Sequence, residues 1–292
     1  MDDHQLIPLF PALHGRHVTL SALGGGLTNR NYRVGAGAET FVLRVAGRNT
    51  GLLGIERACE VACARAAAAL GVGPEVIDYL PEHEAILWRF VPGRALAPED
   101  VREAAVLRRV VAALRRCHQG PPGAGIFSPF NTVRTYHALA RDRGVAFPTG
   151  LEPALKRLAG IERDLVDDAP PCPCHNDLLA GNLIDDGEAI RIIDWEYGGM
   201  GSRWFDLGNL AANNEFEERH EQLLLEVYSG EVRPPDLRRL RLMRLVSDMR
   251  EALWGFAQAA VSTLDLDYAA YGRKHLDRFL ILSDRWHAPG PK

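Results

Sequence analysis

Asp177, Asn182 and Asp194 are the residues whose types and spacing point most directly to chemistry. They lie in Cys174-His175-Asn176-Asp177-Leu178-Leu179-Ala180-Gly181-Asn182 and in Ile192-Ile193-Asp194-Trp195-Glu196-Tyr197. In the spacing His-x-Asp-x-x-x-x-Asn, an aspartate takes a hydroxyl proton and an asparagine ligates a metal during phosphoryl transfer. Asp194 adds a carboxylate, the hard oxygen ligand that Mg²⁺ on the β- and γ-phosphates calls for. Between Asn182 and Asp194, the runs Asn182-Leu183-Ile184 and Ala189-Ile190-Arg191-Ile192-Ile193 flank Asp186-Gly187. Asp-Gly favours the φ > 0 turn of a tight hairpin, which would fold Asp194 back beside Asn182.

His175-Asn176-Asp177-Leu178-Leu179-Ala180-Gly181-Asn182, Asp194-Trp195-Glu196-Tyr197 and Phe205-Asp206-Leu207-Gly208-Asn209 together resemble the choline/ethanolamine kinase family. That family belongs to the wider aminoglycoside-phosphotransferase-like group. The resemblance runs from about Gly24 to about Tyr271, and Asn176 and Glu196-Tyr197 point to choline kinases more than to aminoglycoside kinases. It implies an α+β, two-lobed protein-kinase-like fold, with a small antiparallel-sheet lobe and one main helix over residues 1–91. A larger, mostly helical lobe would follow over residues 92–292. It also implies ATP and Mg²⁺ as cofactors and a small amino alcohol, choline or ethanolamine first, as acceptor. Thiamine, an aminoglycoside or a sugar-like alcohol are alternative acceptors. A non-catalytic nucleotide-binding regulator is a different class, against which the joint presence of Asp177, Asn182 and Asp194 argues.

The elements that would position this chemistry can be read in order. Val18–Leu23 and Asn31–Val34 have strand character, and Gly24-Gly25-Gly26-Leu27-Thr28-Asn29 separates them. Glycines let backbone N–H groups approach phosphate oxygens, so Gly25, Gly26, Leu27, Thr28 and Asn29 form a candidate phosphate-covering loop. Arg44, in Val42-Leu43-Arg44, stands where protein kinases carry a lysine, and arginine offers bidentate contact to phosphate. Ile55–Leu70, rich in alanine, predicts a helix stopped by Gly71 and Gly73-Pro74. Glu56 and Glu60 share one of its faces, and the resemblance favours Glu60 as the partner of Arg44. Strands over Glu75–Leu80 and Ala85–Val91 lead to Pro92-Gly93-Arg94. There the backbone of Arg89, Phe90 and Val91 is the candidate adenine edge.

From Pro98 onward the pattern is helical. One amphipathic helix should run to His118, read as a packing residue at its end. A loop over 124–150 would carry a short helix near Thr132–Arg143, followed by a helix over Leu151–Asp167. Gly198–Gly201 reads as a flexible loop and Asp206 as a support beneath the catalytic loop. Further helices are expected over Asn209–Asn214, Glu217–Tyr228, Pro235–Ala260 and Asp267–Leu282. The resemblance makes Trp254 and Tyr271 candidates for an aromatic cage around a cationic acceptor, with Phe216 as a further wall, and Asp177 and Glu196 further candidates for binding the acceptor. Helix–helix packing is the competing use of Trp254 and Tyr271. Asn213-Asn214 and Glu251 depart from the eukaryotic members, which carry Glu-Trp and Trp there.

Composition bounds the alternatives. The 292 residues are 47% hydrophobic and 25% charged, enough for two lobes with their own cores. A net charge of −4 implies no broad basic surface for nucleic acid. The five cysteines show no framework spacing and read as reduced thiols, and Cys172-Pro173-Cys174-His175 lacks the second pair of a zinc finger. The acidic Met1-Asp2-Asp3-His4 start and the lack of a long apolar run predict a cytoplasmic chain without a membrane span. A monomer or homodimer is expected.

Overall fold

The structure is a computed structural model that describes residues 3–24, 29–47, 50–165, 170–262, 264 and 266–286. Strands β1 (Val18–Leu23), β2 (Asn29–Ala36), β3 (Glu39–Ala46), β4 (Val76–Leu80) and β5 (Ala85–Arg89) form one antiparallel sheet in the order β1-β2-β3-β5-β4. Strands of period two bury one set of side chains on each face. Val34, Phe41, Leu43, Val45 and Leu87 pack beneath the N-terminal 3₁₀ turns Asp3–Leu9 and Pro11–Leu13, through Leu6, Phe10 and Leu13. Asp3 fastens this arm by accepting from Arg30 at 2.7 Å and Tyr32 at 2.7 Å. On the other face, Ile86 and Trp88 join helix α1 (Arg57–Ala69) and the helical lobe in one continuous core.

The helical lobe holds β6 (Arg94–Ala95), α2 (Pro98–Arg102), α3 (Ala104–His118), α4 (Pro129–Asp142) and α5 (Leu151–Asp164). It continues with β7 (Cys172–Cys174), β8 (Leu183–Asp185), β9 (Ile190–Ile192) and β10 (Gly199–Gly201). Helices α6 (Arg203–Asn213), α7 (Glu218–Ser229), α8 (Pro234–Val261) and α9 (Tyr268–Trp286) close it.

Several expectations are corrected. The helix expected from Pro98 to His118 is broken at Glu103, whose extended backbone (φ −66°, ψ 128°) ends α2 and starts α3. α4 begins at Pro129 because the Ser128 side chain accepts from the Asn131 amide, leaving proline at the first helical position. α6 begins at Arg203, six residues before the expected start, because Ser202 caps it through the Trp204 amide. Gly198–Gly201 is not a free loop, since Gly199–Gly201 pairs antiparallel with Cys172–Cys174. The β8–β9 hairpin forms as expected, pairing Leu183 with Ile192. Its turn is longer than Asp-Gly alone: Gly187 adopts φ 93°, and the Asp186 carboxylate accepts from the Glu188 and Ala189 amides.

Candidate active site

The catalytic-loop segment is held from below. Asp206, fully buried in the first turn of α6, accepts from the His175 amide at 2.9 Å and the Asn176 amide at 2.6 Å. His118 adds a third contact to the same carboxylate, Nε2 to Oδ2 at 3.0 Å, while its Nδ1 meets the Tyr228 hydroxyl at 2.8 Å. His118 is therefore a buried polar strut and not only a packing residue. Asn209 Oδ1 accepts from the Leu178 amide at 2.5 Å, so α6 carries both anchors of the loop.

Asn176 and Asp194 both sit in the left-handed region, at φ 67° and 68°. Asparagine and aspartate tolerate it better than other non-glycine residues. Asn176 keeps this conformation by donating its side-chain amide to the Tyr197 carbonyl at 2.9 Å. His175 then joins the two halves of the motif. Its Nδ1 accepts from the Asp177 amide at 3.2 Å, which assigns the ring proton to Nε2, and Nε2 donates to the Ile193 carbonyl at 2.9 Å. The Ile193 amide donates to the Asn182 carbonyl at 2.9 Å, and the Asn182 side chain donates to the Asp177 carbonyl at 2.9 Å. The hairpin thus returns Asp194 to Asn182 and Asp177, and all three line one cavity of about 490 Å³.

Charge is concentrated around that cavity. Arg44 donates to Glu60 at 2.9 Å and to Asp194 at 2.5 Å, so Glu60 rather than the exposed Glu56 is its helix partner. Burial opposes the Arg44 charge, yet Asp194, Glu60 and Glu196 outweigh it and leave the guanidinium more basic than usual. Arg57, which the sequence reading passed over, contacts Glu60, lies 3.4 Å from Glu196 and donates to Asn29 Oδ1 at 2.8 Å. The Asn29 side-chain amide donates to Glu196 at 3.0 Å. Asn29 thereby joins Arg57 to Glu196 on the cavity wall. Burial first, and the charge of Asp194 next, push the Glu196 carboxyl up to about 7.

Arg250 was also missed by the sequence reading. It is buried in α8 and donates from Nη1 to Asp177 at 2.9 Å and to Glu251 at 2.8 Å. Its guanidinium stacks 4.4 Å from the Tyr197 ring centroid. Burial raises the Asp177 pKa, while Arg250 pulls it back down. Removing one member of a buried ion pair strands the other charge, at a cost of about 3–5 kcal/mol. Because the Asp177 side chain keeps 14% of its exposure, Arg250→Met should destabilise the fold by about 3 kcal/mol, at the lower end of that range. Urea unfolding measures this, and adding Asp177→Asn should recover part of the loss. A loss below about 1 kcal/mol, a surface-pair value, would show that the guanidinium does not compensate these carboxylates.

Trp254 and Tyr271 are brought to the same cavity by a close contact between α8 and α9. A Cβ on Gly255 would lie 2.7 Å from the Gly272 amide nitrogen, so α8 and α9 meet backbone to backbone. The residues preceding these glycines then stand side by side, with ring centroids 5.5 Å apart and nearly perpendicular. Trp254 also packs edge-on to Tyr268 at 5.7 Å, so it both lines the cavity and belongs to the core. Phe216 is corrected: it is buried against His220 and does not line this cavity.

A smaller adjoining cavity of about 200 Å³ is lined by Val42, Trp88, Phe90, Val91, Ile184 and Ile193, and shares Arg44 and Asp194 with the larger one. The Arg89 and Phe90 amides are committed to the Glu75 and Thr40 carbonyls at 2.8 and 3.1 Å. The Arg89 side chain turns away to Glu39. Gly25, Gly26, Leu27 and Thr28 lie outside the described residues.

A family model described as the phosphotransferase enzyme family matches residues 19–243. The chain belongs to this family. Among similar proteins, ethanolamine kinase 2 of Rattus norvegicus is 27% identical over 264 residues, covering 80% of this chain and 67% of that protein. Protein LicA of Haemophilus influenzae is 26% identical over 231 residues, covering 76% and 66%. A choline/ethanolamine kinase family protein of Mesorhizobium loti superposes with a TM-score of 0.83 at 29% identity, covering 97% and 95%. Spectinomycin phosphotransferase shares the fold at a TM-score of 0.62 and 14% identity. This phosphotransferase is therefore a small-molecule kinase with the two-lobed protein-kinase-like fold. Among its described residues, no helix is long and apolar enough to cross a membrane.

Proposed function

We propose that this phosphotransferase transfers the γ-phosphoryl group of ATP to the hydroxyl of a small amino alcohol, ethanolamine or choline. The observation that carries the reading is the shared cavity: Asp177, Asn182 and Asp194 open onto the same space as Trp254 and Tyr271. The relatives named ethanolamine kinase support the acceptor class. Fold neighbours in complex with AMP and with ADP support nucleotide use.

In this reading the nucleotide lies between the lobe of residues 1–91 and that of residues 92–292. The adenine occupies the smaller apolar cavity. With two amides already used inside the sheet, its edge is read by carbonyl groups of the Arg89–Val91 segment or by the Val91 amide. Arg44, fixed by Glu60, faces the phosphates. Asp194 and Asn182 offer hard oxygen donors on one cavity wall, a set that suits Mg²⁺. A bound Mg²⁺ would neutralise charge on the transferring phosphoryl group. Asp177 takes the hydroxyl proton, and Glu196 holds the loop entrance through Asn29 and Arg57.

The test is ATP consumption over a panel of ethanolamine, choline, thiamine and aminoglycosides. Turnover with either amino alcohol above the others supports the reading. Preference for an aminoglycoside would favour the second reading, for which the Asp177 and Glu251 carboxylates on the cavity wall are the supporting observation. For the cage, Trp254→Leu keeps most of the packing but removes the π face. A desolvated cation–π contact is worth ~2 kcal/mol, so the KM for the amino alcohol should rise about 10- to 30-fold. An unchanged KM in the folded variant would assign Trp254 to the core alone.

A further inference from the structure

At the Trp254–Tyr271 end of the cavity the polar atoms form one chain. Arg250 Nη1 joins Asp177 Oδ1 to Glu251 Oε1, and Glu251 Oε2 accepts from the Tyr271 hydroxyl at 2.7 Å. Each Glu251 oxygen has one protein donor on it and keeps lone-pair capacity for another. Tyr271 has its proton committed to Glu251, so its oxygen can only accept from a ligand. Burial, reinforced by the nearby Glu251 charge, pushes the phenol up and keeps that proton in place. Two carboxylates against one guanidinium leave this end of the cavity with one net negative charge. An acceptor cation here therefore meets three hydrogen-bond acceptors, Asp177, Glu251 and Tyr271, beside the Trp254 ring.

That arrangement treats two cations of equal charge differently. An ammonium that carries hydrogens can donate to Glu251 and Tyr271 while resting against the indole. A fully methylated ammonium keeps the Coulomb and cation–π attraction but donates nothing. Its methyl groups exclude water from acceptors that then lack a donor, and a desolvated acceptor without a partner is costly. We infer that Glu251, fixed between Arg250 and Tyr271, selects amino alcohols whose nitrogen carries protons over those whose nitrogen is fully methylated. This rests on the amino-alcohol reading above and narrows it to ethanolamine and its partly methylated relatives.

The experiment is kcat/KM at neutral pH for ethanolamine and its N-methyl, N,N-dimethyl and N,N,N-trimethyl forms, with the phosphorylated product measured directly. The wild-type value should fall along the series and drop most at the last methyl. A total of about 10- to 100-fold corresponds to the loss of a charge-assisted hydrogen bond. Glu251→Gln should compress that ratio to within a few-fold, the loss falling mainly on KM for the proton-bearing acceptors. The wild-type series decides by itself if the variant does not fold. A wild-type enzyme that uses the trimethyl form as well as ethanolamine overturns the selectivity, as does an unchanged ratio in folded Glu251→Gln. If none of the four is phosphorylated while another hydroxyl compound is, the amino-alcohol reading falls and the selectivity with it.

Discussion

Asp177→Asn is expected to lower kcat by roughly 10²–10⁴-fold, the usual worth of a positioned general base. Asparagine keeps the size of the side chain and one oxygen for Arg250, so the loop anchored by Asp206 and Asn209 should stay in place. ATP binding should be retained, because the smaller cavity proposed for the adenine does not include Asp177. The loss should therefore fall on kcat with little change in the KM for ATP. Activity within a few-fold of wild type would remove Asp177 from the proton transfer.

The second large effect concerns Asp194 and Asn182, the proposed Mg²⁺ ligands. Asp194→Ala should abolish measurable turnover, a loss of at least roughly 10²–10³-fold, since stabilisation of the charge developing on the phosphoryl group goes with it. The fold should survive, because Arg44 keeps Glu60 as a partner when Asp194 is removed. Asn182→Ala should be milder and more readily rescued by raised Mg²⁺, since a neutral amide is the weaker ligand. The Asn182 side chain also braces the Asp177 carbonyl, so part of its loss should resist rescue. Activity against Mg²⁺ concentration separates the two variants. Equal, metal-independent losses would contradict the division of roles.

The convergence of Asp177, Asn182 and Asp194 was legible because its determinants are local. The spacing from His175 to Asn182, the Asp186-Gly187 turn and the return to Asp194 are close in sequence, and the structure closes them through His175, Asn182 and Ile193. Glu60 was singled out by the resemblance alone, because the helix places Glu56 on the same face. Arg250 was not, because 73 positions separate it from Asp177 and an arginine on a helix ordinarily reads as solvated. A signal did exist. α8 carries Arg244, Asp248, Arg250 and Glu251 within two turns, all buried, and a helix enclosed on every side must pair its charges. The pairing of Gly199–Gly201 with Cys172–Cys174 was hidden for the opposite reason: glycines and a proline carry no strand pattern, and only the partner strand gives them one. The same holds for Asn29. Its place after a glycine run gave no sign that its side chain joins Arg57 to Glu196, both far off in sequence.

The most direct test of the central claim follows the phosphoryl group itself. With γ-labelled ATP, Mg²⁺ and ethanolamine, the product mixture can be resolved by phosphorus NMR for the wild type and for Asp177→Asn. The account predicts phosphoethanolamine and ADP in equal amounts from the wild type, dependent on Mg²⁺, and almost none from the variant. Label released only as inorganic phosphate, or carried onto a different acceptor when a mixture is offered, would contradict it.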